Sequence, residues 1–171
     1  TGNVDPTLGE ENWKSSFMHE EEIAQPGYHR MYLKDYGIWV EQTATDRTGM
    51  YRLTFTQDSD ADILVNLGGY IASTTMRNAD VKKVSNNEIE GSFDTYGRHW
   101  GGPENVKVHF VIRFDKDFER LDGWRDKERY SDIDTLQGSS IITRRHPKEE
   151  LSYLDSPTSG VSAHYRVKTG D

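Results

Sequence analysis

Apolar and polar side chains alternate in three consecutive runs near the start of the chain, at residues 28–33, 38–45 and 50–56. A period of two is typical of β-strands. Each of the two connections contains an aspartate and a glycine, which are residue types that favour tight turns. Because connections this short join antiparallel neighbours, the pattern predicts a β-meander.

Further strands are predicted along the rest of the chain. The clearest is residues 106–114, where Val106, Val108 and Phe110 begin an apolar face opposite a polar one, so that one face should be buried and the other wet. A last strand, 161–168, should turn Val161, Ala163, Tyr165 and Val167 inward. The remaining predicted strands are residues 63–67, 71–77, 81–85, 88–96 and 139–144.

The sequence also predicts the structure of the segments between the strands. Gly68 and Gly69 should close the strand 63–67, and strands 71–77 and 81–85 should pair across residues 78–80. Residues 115–137 lose the alternation and are expected to form a long surface connection with at most one short helix. The first 25 residues should be extended or loop-rich, with Trp13 and Phe17 as apolar anchors.

These patterns together indicate the fold class. About nine strands, repeated turn chemistry and no helical periodicity are typical of an all-β protein, an antiparallel β-sandwich. A length of 171 residues suits a single domain spanning residues 1–171. The pattern leaves the order of the strands open.

Charge and composition exclude several function classes. A net charge of −8 argues against nucleic acid and against an anionic membrane surface, since both attract cations. The chain lacks cysteine, and with it disulfides, thiolate nucleophiles and cysteine-based zinc sites. The sequence contains no run of roughly 18 apolar residues, so no membrane span is predicted. Because the chain begins at Thr1 without a signal sequence, we expect a mature or excised piece.

No self-contained catalytic or metal site is predicted. The chain shows neither a nucleophile elbow nor a phosphate-binding loop. His19 is followed by three glutamates, but a helical zinc motif requires two histidines four residues apart on one face. A solvated acidic approach to the first strand is the favoured interpretation of this segment.

One loop has the composition of a sugar-binding site. Arg98, His99 and Trp100 lie among three glycines between two predicted strands. An exposed aromatic ring can stack on the C–H face of a pyranose, while Arg or His binds its hydroxyl groups. The alternative, which the residues leave equally open, is that Trp100 covers the end of the sandwich as part of the core.

Three linked segments, residues 17–22, 24–28 and 43–49, resemble the amino-terminal domain of the bacterial α-1,2-mannosidases of glycoside hydrolase family 92. The resemblance is clearest over residues 17–124 and includes Trp100. Met18 stands where the family usually has serine, and His29 where it usually has a second tyrosine.

The resemblance implies a two-part enzyme in which a β-sandwich packs against a helical catalytic domain. Such an enzyme removes mannose from α-1,2-linked mannosides or N-glycans, with inversion and with calcium. The family's catalytic carboxylates and calcium ligands lie in the helical domain, so the resemblance implies no catalytic residue and no cofactor in this chain. It also implies a secreted, periplasmic or cell-surface protein.

The resemblance further implies roles for individual residues. Trp100 corresponds to a tryptophan of the sugar pocket, and Arg98 and His99 adjoin it. Four family-motif residues have either a sugar-binding or a bracing role, with a carboxylate–guanidinium brace slightly favoured; they are His19, Glu20, Glu22 and Arg47.

Three hypotheses follow. The leading one is a non-autonomous N-terminal domain of an α-mannosidase, inactive alone, which shapes part of the sugar cleft. The alternative is a freestanding carbohydrate-binding module without catalytic activity. A third is a structural interaction domain, which an exposed apolar patch would favour.

Overall fold

The three alternating runs near the start of the chain form strands at the predicted positions. The computed structural model describes residues 4–9, 12–71, 74–96, 105–138 and 158–171. A four-stranded antiparallel sheet contains, in spatial order, β1 (Ile23–Gln25), β2 (Tyr28–Leu33), β3 (Ile38–Ala44) and β4 (Gly49–Phe55). The predicted meander is therefore confirmed as β2–β4.

The strand β1 was not predicted. It pairs with β2 across a tight turn at Pro26 and Gly27, where Gly27 has a φ of +78° that favours glycine. The lead-in to the meander thus ends in a short edge strand.

A second antiparallel sheet contains the other strands. Their bounds are β5 (Ser59–Ile71), β6 (Thr74–Ser85), β7 (Glu88–Tyr96), β8 (Asn105–Arg113), β9 (Arg120–Arg125), β10 (Glu128–Tyr130), β11 (Thr135–Gln137) and β12 (Ser159–Val167). The spatial order is β10-β9-β12-β5-β6-β7-β8, with β11 paired to β6 outside that path.

Helical structure is confined to single turns in the part of the chain that the structure describes. Pro6–Leu8 and His19–Glu21 are three-residue 3-10 helices. No helix among the described residues is long and apolar enough to cross a membrane. The predicted fold class, an all-β antiparallel β-sandwich, is confirmed.

The chain divides into two compact units, which are described separately. The first contains Lys14–Ala61 and Arg166–Asp171, and the second contains Val4–Trp13 and Asp62–Tyr165. A single domain over residues 1–171 stays a prediction.

The first unit is held together at its C-terminal end by backbone hydrogen bonds. The Phe55 amide donates to the carbonyl oxygen of Asp171 at 3.0 Å, and the Gly170 amide donates to the carbonyl oxygen of Phe55 at 2.8 Å. Hydrogen bonds from Lys168 and Thr169 lower the pKa of Asp58 to about 2. The chain end is thereby tied to β4 and to the turn that follows it.

The core of the second unit lies around a single tryptophan. Trp124 is fully buried, its Nε1 donates to Thr158 Oγ1 at 2.9 Å, and its ring meets Trp13 edge-on at 5.8 Å. Trp13 is therefore an anchor, as predicted, whereas Phe17 is 42% exposed and is not. The residues of β12 predicted to point inward are all buried: Val161, Ala163, Tyr165 and Val167.

The prediction of a long surface connection over residues 115–137 is wrong. This segment contains β9, β10 and β11, and it buries Phe118, Leu121 and Trp124. Alternation is missing from β9 because four successive residues, 121–124, are all buried. One of them is Asp122, and a buried charged residue removes the polar–apolar signal on which the prediction depended.

Two predicted strand ends are also wrong. Gly68 and Gly69 lie inside β5, which continues to residue 71. The predicted hairpin across residues 78–80 is instead one strand, β6, whose register against β7 shifts between Arg77 and Asp80. Asn78 has a φ of 53°, which asparagine tolerates, so the turn-like residues form a bulge within a strand.

The strand predicted most clearly lies at the edge of its sheet. β8 pairs with β7 alone in the strand path, and its apolar face is only half-buried at Val108, Phe110 and Ile112. Val106, predicted to share the buried face, is 43% exposed. The alternation is confirmed, but the full burial of that face is not.

A half-buried histidine joins three strands of the second unit. Nε2 of His164 on β12 lies 2.9 Å from Asp122 Oδ2 on β9, and its Nδ1 contacts Asp62 Oδ1 on β5. Arg120 Nε and the Asp132 amide donate to the other oxygen of Asp122 at 2.8 and 2.9 Å. Burial alone would raise the pKa of Asp122, but these hydrogen bonds and the neighbouring charges leave it below its ordinary value.

Acid is expected to destabilise the protein through Asp122. A carboxyl group with a lowered folded-state pKa contributes stability that is fully present above the unfolded pKa, about 3.9, and is lost as the pH falls through the folded pKa. The free energy of unfolding, measured by urea titration, should therefore fall below about pH 4. Asp122→Asn should reduce this slope, and Asp46→Asn, at an exposed turn, should not. An unchanged slope in Asp122→Asn would contradict this role.

Candidate functional site

The segment before β1 is fixed to the turn between β2 and β3. The Ser16 amide and hydroxyl donate to Asp35 Oδ2 at 2.7 and 3.1 Å, and the Lys34 amide donates to the Ser16 carbonyl oxygen at 3.0 Å. The two hydrogen bonds from Ser16 lower the pKa of Asp35. The residues that follow Ser16 therefore start from a defined position.

The 3-10 helix His19–Glu21 brings two family-motif side chains together. The Glu22 amide closes the turn by donating to the His19 carbonyl oxygen at 3.2 Å. Side chains three residues apart eclipse in this geometry. As a result, Nδ1 of His19 lies 2.7 Å from Glu22 Oε2.

A second histidine reaches the same carboxylate from β2. Nε2 of His29 lies 2.8 Å from Glu22 Oε1, and the Gln42 side-chain nitrogen donates to Nδ1 of His29 at 2.8 Å. His29 and Gln42 are directly opposite each other in the β2–β3 register. We call His19, Glu22, His29 and Gln42 the histidine–glutamate cluster.

The hydrogen bonds of the cluster determine its charge and tautomers. Those from His19 and then His29 lower the pKa of Glu22, which is therefore an ionised acceptor at neutral pH. An ionised carboxylate only accepts, so each histidine nitrogen that faces it carries a hydrogen. Nδ1 of His29 accepts from Gln42, so the hydrogen that faces Glu22 is carried by Nε2.

The cluster changes from half-buried to exposed along its length. The Glu22 and His29 side chains are 21% and 24% exposed, whereas His19 is 83% exposed. The Phe17 ring meets the His19 ring edge-on at 5.2 Å. Tyr51, which is 68% exposed, lies opposite Gln42 in the β3–β4 register and so shares its face of the sheet. Exposed aromatic rings therefore border the cluster.

The other face of this sheet offers less open aromatic surface. The Arg30 guanidinium lies 3.9 Å above the centre of the Trp39 ring, and the Tyr32 ring is 4.9 Å from it. Tyr28 donates to Glu41 at 2.7 Å. These contacts occupy the rings, so Phe17 and Tyr51 are the more accessible aromatic residues of the unit.

The structure brings together two of the four predicted motif residues. His19 and Glu22 are in contact, whereas Glu20 and Arg47 join no ion pair in the part of the chain that the structure describes. The favoured carboxylate–guanidinium brace stays a prediction, and the contacts that the structure shows at the Glu22 carboxylate come from two imidazole rings. Arg98, His99 and Trp100 lie outside the described residues, so their grouping stays a prediction.

His29 and Gln42 were missed as members of the site. Each occupies an ordinary strand position, and only the register of a hairpin brings them together. The one signal in the sequence was His29 itself, which stands where the family usually has tyrosine. No group of three metal-binding side chains that could hold an ion occurs in the described ranges.

Comparisons with known proteins identify the family. The family model for the "Glycosyl hydrolase family 92 N-terminal domain" matches residues 1–169. Among solved structures, the chain is similar to the family GH92 alpha-mannosidase BT3965 from Bacteroides thetaiotaomicron in complex with mannoimidazole, with 23% identity and a TM-score of 0.60, over 91% of this chain and 20% of that one.

A second structure of the same Bacteroides thetaiotaomicron enzyme gives 23% identity and a TM-score of 0.60, over 91% of this chain and 21% of that one. No curated protein matches. The chain thus spans about a fifth of the solved enzyme. A likeness at this identity shows the fold, whereas the family model covers nearly the whole chain. The chain therefore belongs to the glycosyl hydrolase family 92 N-terminal domain family.

Proposed function

We propose that this chain is the N-terminal domain of an α-mannosidase, that it is inactive alone, and that it shapes part of the sugar cleft. The observation that carries the proposal is the family match over residues 1–169. The solved alpha-mannosidase that contains this fold is more than four times as long, which supports a second part that completes the enzyme. The proposed partner is a C-terminal helical catalytic domain of the same parent chain.

The proposed reaction is inverting hydrolysis of α-1,2-linked mannosides or N-glycans. Inversion requires a carboxylic acid that protonates the leaving oxygen and a carboxylate that activates water on the other face of the sugar. We place both, and the calcium ion of the parent enzyme, in the helical domain. A secreted, periplasmic or cell-surface location follows from such a substrate.

The role left to this chain is substrate binding. Trp100 is proposed to stack on the sugar, with Arg98 and His99 beside it as hydrogen-bond donors. The charge balance supports a neutral glycan over nucleic acid, because the net charge of −8 repels phosphate.

Hydrolysis of an α-1,2-mannobioside tests the proposal. The chain alone should release no mannose, with or without calcium, because the proposed acid and base are not in it. Addition of the C-terminal region of the parent protein should produce turnover that requires both parts. Robust hydrolysis by the chain alone would refute the proposal.

A freestanding carbohydrate-binding module is the second candidate, and exposed Phe17 and Tyr51 beside the histidine–glutamate cluster favour it. Titration with mannobiose separates the two. A module should bind tightly and should lose at least about tenfold in affinity in Trp100→Ala, since buried aromatic contacts dominate binding. Millimolar binding by the chain alone would instead fit an incomplete cleft. Val111→Ala, at an exposed strand position, is the control.

A further inference from the structure

The most exposed side chain of the histidine–glutamate cluster, His19, uses only one of its two ring nitrogens within the cluster. Both oxygens of Glu22 and both ring nitrogens of His29 have partners within the cluster. His19 uses Nδ1 for Glu22, and its Nε2 has no partner among the described residues. Since His19 is 83% exposed, this nitrogen faces solvent.

Stability does not account for the orientation of His19. His29 already ties Glu22 to β2, and it is half-buried. A hydrogen bond from a side chain as exposed as His19 contributes little to folding, because water competes for both partners. The carboxylate nevertheless holds the imidazole in one tautomer and one direction, an arrangement that enzymes use to present the opposite nitrogen to a reactant or ligand.

An exposed aromatic ring lies beside the His19 ring. The Phe17 ring is 42% exposed and makes an angle of 85° with the His19 ring at 5.2 Å. We call these two exposed rings the Phe17–His19 corner, since they place an apolar ring next to an imidazole. A pyranose matches such a corner, because its C–H face packs on an aromatic ring while its hydroxyl groups form hydrogen bonds at the rim.

We propose that the corner formed by Phe17 and His19 binds a pyranoside, with Nε2 of His19 hydrogen-bonded to a sugar hydroxyl. Glu22 is the positioning residue that orients His19. The choice of an α-mannoside as the ligand rests on the proposed function, whereas the corner itself rests on geometry. This site is separate in sequence from the proposed Trp100 contact, so the two can be tested independently.

The experiment is a titration of the chain with methyl α-D-mannopyranoside, followed by NMR, which detects millimolar affinities. The His19 ring signals should shift on binding. His19→Ala should raise Kd by at least about fivefold, which corresponds to loss of one hydrogen bond. Glu22→Gln should weaken binding less, because the ring remains but is no longer held in one tautomer. Phe17→Ala should weaken binding as well.

Matched variants separate binding from folding. His109→Ala removes another exposed histidine, one outside the family motif, and should leave Kd unchanged. The free energy of unfolding of His19→Ala should equal that of the wild-type protein. Binding that is unchanged in His19→Ala, or no binding by the wild-type chain, would overturn the inference. Neither result bears on hydrolysis by the two-part enzyme, which tests the proposed function.

Discussion

Trp124→Ala is expected to lower the free energy of unfolding by about 3–5 kcal/mol, the range for a large buried aromatic residue. The side chain is fully buried, and its ring packs edge-on against Trp13. Its removal leaves a cavity and also leaves the buried Thr158 hydroxyl without the indole hydrogen that it accepts at 2.9 Å. The loss of packing and the unpaired polar group act in the same direction.

Urea unfolding followed by circular dichroism measures this change. Val111→Ala provides the control, because Val111 lies on a strand but is 62% exposed, and it should change the free energy by less than about 0.5 kcal/mol. Trp124→Phe should fall between the two, since it keeps an aromatic ring but loses the hydrogen bond. A loss in Trp124→Ala no larger than that in the control would show that the described core is wrong.

Gly160→Ala is expected to be the most damaging single methyl addition among the described glycines. A Cβ at this position would lie 2.1 Å from the carbonyl oxygen of Val65 and 2.6 Å from Cη2 of Trp124. The first contact is with the backbone of a neighbouring strand, so no side-chain rotation relieves it. Strands β5 and β12 would have to separate, and we expect a loss of more than about 4 kcal/mol or failure to fold.

Gly49→Ala is the matched control. Its added Cβ meets only the Tyr51 ring, at 3.6 Å, which is ordinary van der Waals contact. The two variants should therefore differ sharply in soluble yield and in the urea midpoint. Comparable stability of Gly160→Ala and the wild-type protein would mean that β5 and β12 do not approach as closely as described.

Local patterns predicted the meander well, for a physical reason. Each of its turns contains its own aspartate and glycine, and each strand alternates, so the information needed to form β2–β4 lies within a few neighbouring residues. The inward residues of β12 were predicted on the same basis. In such a strand, the alternation of apolar and polar residues shows directly which face is buried.

The errors share a different cause. β9 buries Asp122 along with its apolar neighbours because His164, about 40 residues later, forms a hydrogen bond with it. The alternation that marks a strand is lost wherever a distant partner makes burial of a charged residue tolerable. The bulge at Asn78 similarly resembles a turn until β7 pairs along both sides of it.

The features of the candidate site also divide into those that local sequence predicts and those that depend on distant residues. The sequence alone determined the family and the all-β class, because these depend on motif order and on alternation between neighbouring residues. The contact between His19 and Glu22 was not predicted, because the segment was expected to be a solvated approach and not a 3-10 turn. Only the tertiary structure decided that His29 and Gln42 belong to the cluster and that Arg47 does not belong to it. It also decided that the His19 side chain is exposed next to Phe17. Register and burial decide such contacts, and both depend on residues far apart in the chain.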